Sequence, residues 1–385
     1  MALKISQAST LPPAQPVYVL RGHSAQVHST HFFRENLRLL SGDSDGWVVL
    51  WSLPIKRAAA VWRAHEGTVV GLGSWDDDKI ISHGRDNKIC VWQLREEDEE
   101  NFSTTLPIND SAVERKKPWL MHSLPVNALN FCSFAMCQDL QSSQSQPKSD
   151  ILVAVPGIQD GQVNIISLPS ESRFATLPTP KDIKTGMVMA ICLHYFQTQL
   201  SVLVGYESGH VCIWKQDAST MVWRIRYSHK AHSQPILSLD IAPRLGHFYT
   251  SSADAIIARH PLFDENGEAK SVQTKHAGQQ SLTVRSDDKI FATAGWDGRV
   301  RVYSAKTMKE LAVLKWHKDG CYAIAFASVM EEASKSNSNS TGDVNQESIS
   351  LRDLTVSEQR TAKAKAIHWL AAGSKDGKVS LWDIY

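Results

Sequence analysis

Histidine, serine or threonine, and aspartate recur at near-fixed intervals along this 385-residue chain. Those are the parts of an acyl-transfer triad, in which histidine takes the serine proton and a carboxylate orients the histidine. Gly42-Asp43-Ser44-Asp45-Gly46 also matches the Gly-x-Ser-x-Gly elbow letter for letter. That elbow needs a strand before it and a helix after it to hold the serine on a strained turn. Here WVVLW follows, which alternates as a strand, and the equivalent turns SHGRDN, TAGWDG and GSKDG keep no serine at that place. One active site has no use for copies of its triad, whereas a structural staple is expected to repeat. No phosphate-cradling Gly-x-x-x-x-Gly-Lys-Ser/Thr, no His-Glu-x-x-His and no zinc-spaced Cys/His cluster is present. The sequence predicts no catalytic residue, cofactor or metal, and no enzyme.

The elements that carry these residues follow from a repeated turn, Asp-Gly-x-φ-x-φ-Trp, where φ is apolar. It reads DGWVVLW (45–51), DNKICVW (86–92), DGQVNII (160–166), SGHVCIW (208–214), DAIIARH (254–260), DGRVRVY (297–303) and DGKVSLW (376–382). The last positions, Trp51, Trp92, Ile166, Trp214, His260, Tyr303 and Trp382, are separated by steps of 41, 74, 48, 46, 43 and 79. Four of these steps lie near the 40–45 residues of a four-stranded propeller blade, and the two longest carry about 30 extra residues. Histidines precede the turns at nearly constant distance: His23, His65, His232 and His276 directly, His122 and His317 once insertions are removed. The fourth unit lacks one.

This pattern resembles the WD repeat over nearly the whole chain and implies an all-β fold, a single seven-bladed WD40 β-propeller spanning 1–385. In such folds Trp, Ser/Thr, Asp and His form a buried hydrogen-bonded tetrad in each blade. The resemblance places complete tetrads at His23, Ser41, Asp45, Trp51 and at His65, Ser82, Asp86, Trp92. Unit six keeps His276, Thr293 and Asp297 with Tyr303 for tryptophan. Unit seven keeps His317, Asp376 and Trp382, with Ala372 where the hydroxyl belongs. Units three to five are degraded, with Ile166 and His260 at tryptophan positions and Ser208 at an aspartate position, and are expected to hold by apolar packing. The last blade ends at its third strand, so its outer strand is expected from Val17-Tyr18-Val19-Leu20, closing the ring and hiding a sheet edge.

Basic and acidic residues nearly cancel, 41 against 40, which gives no support for direct nucleic-acid binding. Six cysteines without Cys-x-x-Cys pairs read as free thiols in a reducing compartment. The start MALKISQASTLPPAQP has no apolar signal core and no run reaches a membrane span, predicting an intracellular soluble protein. Long insertions are expected at 93–117, 138–149 and 329–362, all on the bottom face, with much of the Ser/Gln/Asn-rich material unstructured. The acidic run Arg95–Glu100 is expected to be solvated, and 351–369 to begin with a short helix. On the compact top face, Trp296, Arg85 and Lys375 share the position just before the turn and Trp47 lies just inside another. These four are the candidate interaction residues. Trp296 could equally lie flat over the neighbouring blade, and Trp75 is a weaker candidate on the opposite face.

PPAQPVYVLRGHSAQVHSTHFF, GDSDGWVVLW and AAGSKDGKVSLWDIY together resemble the ASTRA-associated protein 1 family, fungal WD-repeat proteins similar to the guanine nucleotide-binding protein β-subunit-like proteins of animals. The resemblance implies a non-catalytic nuclear scaffold, present also in cytoplasm, within the ASTRA assembly. That assembly is linked to chromatin remodelling and to maturation of phosphatidylinositol-3-kinase-related kinases. Implied partners are RuvB-like ATPases, a Tra-type kinase-like protein and the kinase-maturation co-chaperone complex, with the propeller itself monomeric and no membrane involved. The competing expectation is a peptide-reading WD40 adaptor, reading histone tails or ubiquitin-ligase substrates. A G-protein role is not expected, because the short proline-bearing start has no coiled-coil helix.

Overall fold

A computed structural model describes residues 14–127, 131–140, 150–217, 220–329 and 355–384. The chain forms seven four-stranded antiparallel sheets. In blade one the strands are a (Val27–Phe33), b (Arg38–Asp43), c (Trp47–Ser52) and d (Arg57–Arg63), and the same order repeats around the ring. The a strands of neighbouring blades pack against one another to form the inner wall. Between blades two and three Gly71 and Gly73 receive Ser133 and Phe134 instead. Each sheet shows two apolar faces, so its core clusters are shared between blades; Trp51 of blade one packs with Trp369, Val379 and Leu381 of blade seven. An outer strand, Tyr18–Arg21, completes blade seven by pairing antiparallel with Lys378–Asp383, Tyr18 opposite Leu381 and Arg21 opposite Lys378. The expected closure is therefore the observed one.

The Asp-Gly of the repeat has a physical cause. Gly46 sits at φ +88°, and a Cβ there would stand 1.9 Å from the carbonyl oxygen of His65, in the next blade. Gly377 repeats the approach across the seam, 2.5 Å from the His23 carbonyl. Only glycine tolerates both the dihedral and the contact.

The insertions differ from expectation. Segment 93–117 leaves the bottom of blade two, forms a short 3-10 turn (Glu96–Asn101), and runs back over blade one as a strap. Val61 N–H on the outer edge of blade one donates to Ser103 O (2.9 Å), and Ile108 N–H to Gly22 O (2.9 Å). The strap ends with Arg115 stacked 4.4 Å over Trp47 at the top. It thus spans both faces rather than staying at the bottom. Residues 141–149 and 330–354 lie outside the described residues, as does the expectation of disorder in them. Helix α1 (Val356–Ala366) starts at a capping box, Thr355 accepting from the Glu358 amide while the Glu358 carboxylate accepts from the Thr355 amide.

Candidate interaction surface

The recurrent polar residues are internal staples. In blade two His65 lies 2.9 Å from Asp86 and 2.7 Å from Ser82, and Trp92 Nε1 donates to Ser82 at 2.8 Å. Blade one has the same arrangement with a different carboxylate. Asp43, fully buried, meets His23 Nδ1 at 2.7 Å, and His23 Nε2 meets Ser41 at 2.7 Å. Asp45, the residue the spacing selects, is not the partner of His23: its amide donates to the Asp43 carboxylate (3.0 Å) and its carbonyl accepts from Arg63 Nε (3.2 Å). The position two before the turn aspartate is glycine in blade two, where a Cβ at Gly84 would lie 2.3 Å from the His65 ring. In blade one aspartate occupies it and the carboxylate comes from there.

In blade seven, where Ala372 offers no hydroxyl, Ser380 supplies it from the facing strand. It pairs directly opposite Ala372, takes the Trp382 Nε1 donor (2.9 Å), and lies 2.9 Å from His317 Nε2. Burial raises the Asp376 carboxyl, but the hydrogen bond and charge of His317, with Lys378, bring it down to about 2. Blade six departs further from the pattern. His276 is half-exposed and 3.8 Å from Asp297, Thr293 donates to Gln279 instead (2.7 Å), and buried Arg301 pairs with Asp297 at 2.6 Å. Tyr303 stacks on Phe291, ring centroids 5.0 Å apart.

Blade five is not merely packed. His260 stands in for tryptophan, 3.0 Å from Thr250, which in turn meets His232 at 2.8 Å, and His232 meets Asp254 at 3.1 Å. Burial holds His260 well below the ordinary histidine value, helped by neighbouring His229 and His232. In blade four Trp214 Nε1 donates to the buried Tyr206 hydroxyl at 3.3 Å. His122 is no staple: it lies on the outer strand of blade two, bonded to Glu171 (2.7 Å). Ser44 sits in a strand–turn–strand, its amide on Gln26 O (2.9 Å). Among the described residues no cluster of ligating side chains could hold a metal.

The exposed candidates lie at the top. Trp47 is only 3 % exposed, because Arg115 of the strap covers it, so it is removed from the surface. Lys375 is exposed, its amide bound to Gly320 O (2.8 Å). Trp296 is 47 % exposed, rests on Gly278, and donates Nε1 to Gln280 (2.8 Å). It is neither free nor buried: one edge is fixed and the other open. The Trp296 backbone and the Tyr322 ring both lie within 3.3 Å of where a Cβ on Gly320 would stand, and Tyr322 stacks on His28 at 5.1 Å. Burial lowers His28 to about 4, and the nearby Arg85 cation pushes it the same way. Arg85 then stacks 5.1 Å from the exposed Phe131 ring. Trp296, Tyr322, His28, Arg85 and Phe131 thus make an aromatic and cationic arc of two stacked pairs beside Trp296, contributed by blades six, seven, one and two and by the segment entering blade three. His28 and Tyr322 were missed in the sequence; both fall five residues after a staple histidine, His23 and His317, and that offset was the available signal.

A family model described as WD domain, G-beta repeat, matches residues 14–52, 268–304 and 359–383, which hold parts of blades one, six and seven. Over 97% of its length the chain is 45% identical to ASTRA-associated protein 1 of Aspergillus flavus and 46% identical to that of Penicillium rubens, covering 98% of each. The chain belongs to the ASTRA-associated protein 1 family. A more distant relative of that name, from Schizosaccharomyces pombe, is 33% identical over 81% of this chain and 93% of its own.

This ASTRA-associated protein 1 family member carries a second built feature, on the bottom face. The acidic run expected to be solvated is in part a docking element. Glu99 is buried, and its carboxylate takes Arg38 Nε (3.0 Å) and Nη2 (2.9 Å) and a further bond from Arg34. Arg34 also donates to Asp77 O (2.9 Å) and to Leu94 O. Burial pushes the Arg34 guanidinium down from its usual range, and Glu99 opposes that shift. Asn36, beside it, exchanges two bonds with Ser328 of blade seven (2.8 and 3.0 Å). Blade one's bottom loop therefore joins blades seven and two. Trp75 is buried there, stacked on His122 at 6.4 Å.

Proposed function

We propose that this chain is a non-catalytic WD-repeat scaffold subunit of the ASTRA assembly. It would work in the nucleus, with a cytoplasmic pool, in chromatin remodelling and in maturation of phosphatidylinositol-3-kinase-related kinases. Its partners in this reading are RuvB-like ATPases, a Tra-type kinase-like protein and the kinase-maturation co-chaperone complex. The observation that carries it is the arc from Trp296 to Phe131. Tryptophan, tyrosine and arginine side by side in a half-open setting are the composition that dominates binding energy at protein interfaces. The five residues of that arc include no carboxylate and do include Arg85. That charge disfavours a reader of basic histone tails.

The test is purification of the tagged chain from its native cell, with mass spectrometry of stoichiometric partners. RuvB-like ATPases and the co-chaperone complex should be recovered, and a Trp296→Ala/Tyr322→Ala variant should lose at least one of them. Recovery of cullin-type ligase components, or of histones alone, would overturn the reading.

A further inference from the structure

Between the outer strand of blade seven (Tyr18–Arg21) and that of blade one (Arg57–Arg63) runs an open groove of about 600 Å³. Its apolar lining includes Leu20, Trp51, Ala58 and Leu106, the last brought in by the strap. Its charged lining is Arg21, Lys56 and Arg57, with no carboxylate among the lining residues. Arg34, Arg38, Arg285 and Arg301 all have carboxylate partners. Among the described residues none lies in ion-pair range of Arg21, Lys56 or Arg57. Lys56 is held by the turn, at φ +54°, with its ammonium 5.9 Å from the Tyr18 ring centroid. Tyr18 is 42 % exposed beside it.

We propose that this groove binds an acidic, extended peptide segment of a partner protein. Its Asp, Glu or phosphorylated side chains would meet Arg21, Lys56 and Arg57, and an interleaved apolar side chain would lie on Leu106 and Tyr18. Three like charges around an apolar floor select against basic and neutral segments, and arginine pairs planar carboxylates two-pronged. A nucleic acid would need a longer basic track than three residues, on a chain whose formal charge is only +1. The proposal rests on the scaffold reading only for the source of the peptide. The recognition chemistry belongs to the groove.

The experiment is fluorescence anisotropy on the purified full chain with three labelled probes. These are a short peptide alternating Glu with Leu and Phe, the same peptide with Lys for Glu, and a short single-stranded DNA. Saturable binding of the first alone is expected. Arg21→Glu/Arg57→Glu should weaken it by about tenfold or more, Arg21→Gln/Arg57→Gln by less, and Arg21→Lys/Arg57→Lys least, while Lys270→Gln, exposed on the outer strand of blade five, leaves it unchanged. The glutamine pair keeps the test valid should charge reversal impair folding. Preference for DNA, equal binding of the lysine peptide, no saturable binding, or indifference to both charge-changing pairs would overturn the proposal. No assembly component is present in the titration, so failure of the scaffold reading cannot alter its result.

Discussion

Blades one and three face the same packing problem and solve it in opposite ways. Blade one threads Trp51, Ser41, His23 and Asp43 into one buried network. Blade three has Ile166 at the tryptophan position, with Val153, Val155 and Leu168 packed against Ile89, Val91 and Leu124 of blade two. Both sheets have the same strand order. The polar network is therefore not what makes a blade. Its effect is on what happens when one member is lost, because a half-satisfied buried network leaves a carboxylate or a hydroxyl without its partner. An apolar blade degrades by degrees, and a stapled one fails at once.

The comparison breaks first at the seam. A chain beginning at Gly22 lacks the strand paired with Lys378–Asp383 and exposes that edge. It should lose cooperative thermal unfolding and aggregate, as checked by calorimetry and size-exclusion chromatography. Next, His23→Ala leaves Oδ2 of buried Asp43 without its partner and should cost about 3 kcal/mol, read as a urea midpoint shift. The half-exposed His276→Ala should stay within about 0.5 kcal/mol. Equal losses would show that the two histidines have the same role after all. Glu99→Ala leaves Arg34 and Arg38 facing each other and should cost about 3 kcal/mol, whereas the neighbouring exposed Glu97→Ala changes little. Ser380→Ala should cost about 2 kcal/mol, and Ala372→Ser should not restore it if the hydroxyl must come from the facing strand.

The smallest effect is the pH response of blade five. His232 is lowered by burial despite Asp254, and His260 is lowered further. The folded state keeps them neutral while the unfolded chain takes protons below about pH 6.5. Their contribution is complete above that pH and is lost as pH falls toward the folded values. Asp240, raised to about 6 by burial, works in the opposite sense between its ordinary value and pH 6 and offsets part of the loss. Urea midpoints at pH 7.5 and 5.5 should differ in favour of the former, and His260→Phe should narrow the gap.

Period, turn chemistry and ring closure were all legible in the sequence, because they are local or depend on spacing. What was not legible depends on contacts across the sheet. Spacing picks Asp45, but a carboxylate two residues earlier reaches the same histidine. Ser380 does the work expected at position 372 because antiparallel pairing puts the two opposite each other. Glu99 lies in a run of acids in which Glu96, Glu97 and Glu100 are exposed, and only the fold of blade one brings two arginines to it. Tyr322 and His28 read as ordinary strand residues until the inner strands of blades seven and one are set side by side.

The closing ladder also has a mechanical consequence. Its two strands are antiparallel, with Tyr18 opposite Leu381 at one end and Arg21 opposite Lys378 at the other. The segments that flank Tyr18 and Asp383 therefore leave from the same end. Tension applied between them loads the hydrogen bonds one after another, as in a zipper, rather than all together as in shear. The ring would open by peeling at low force from that end, and the peel would halt at Gly22, where the Ile108 amide grips its carbonyl from the side.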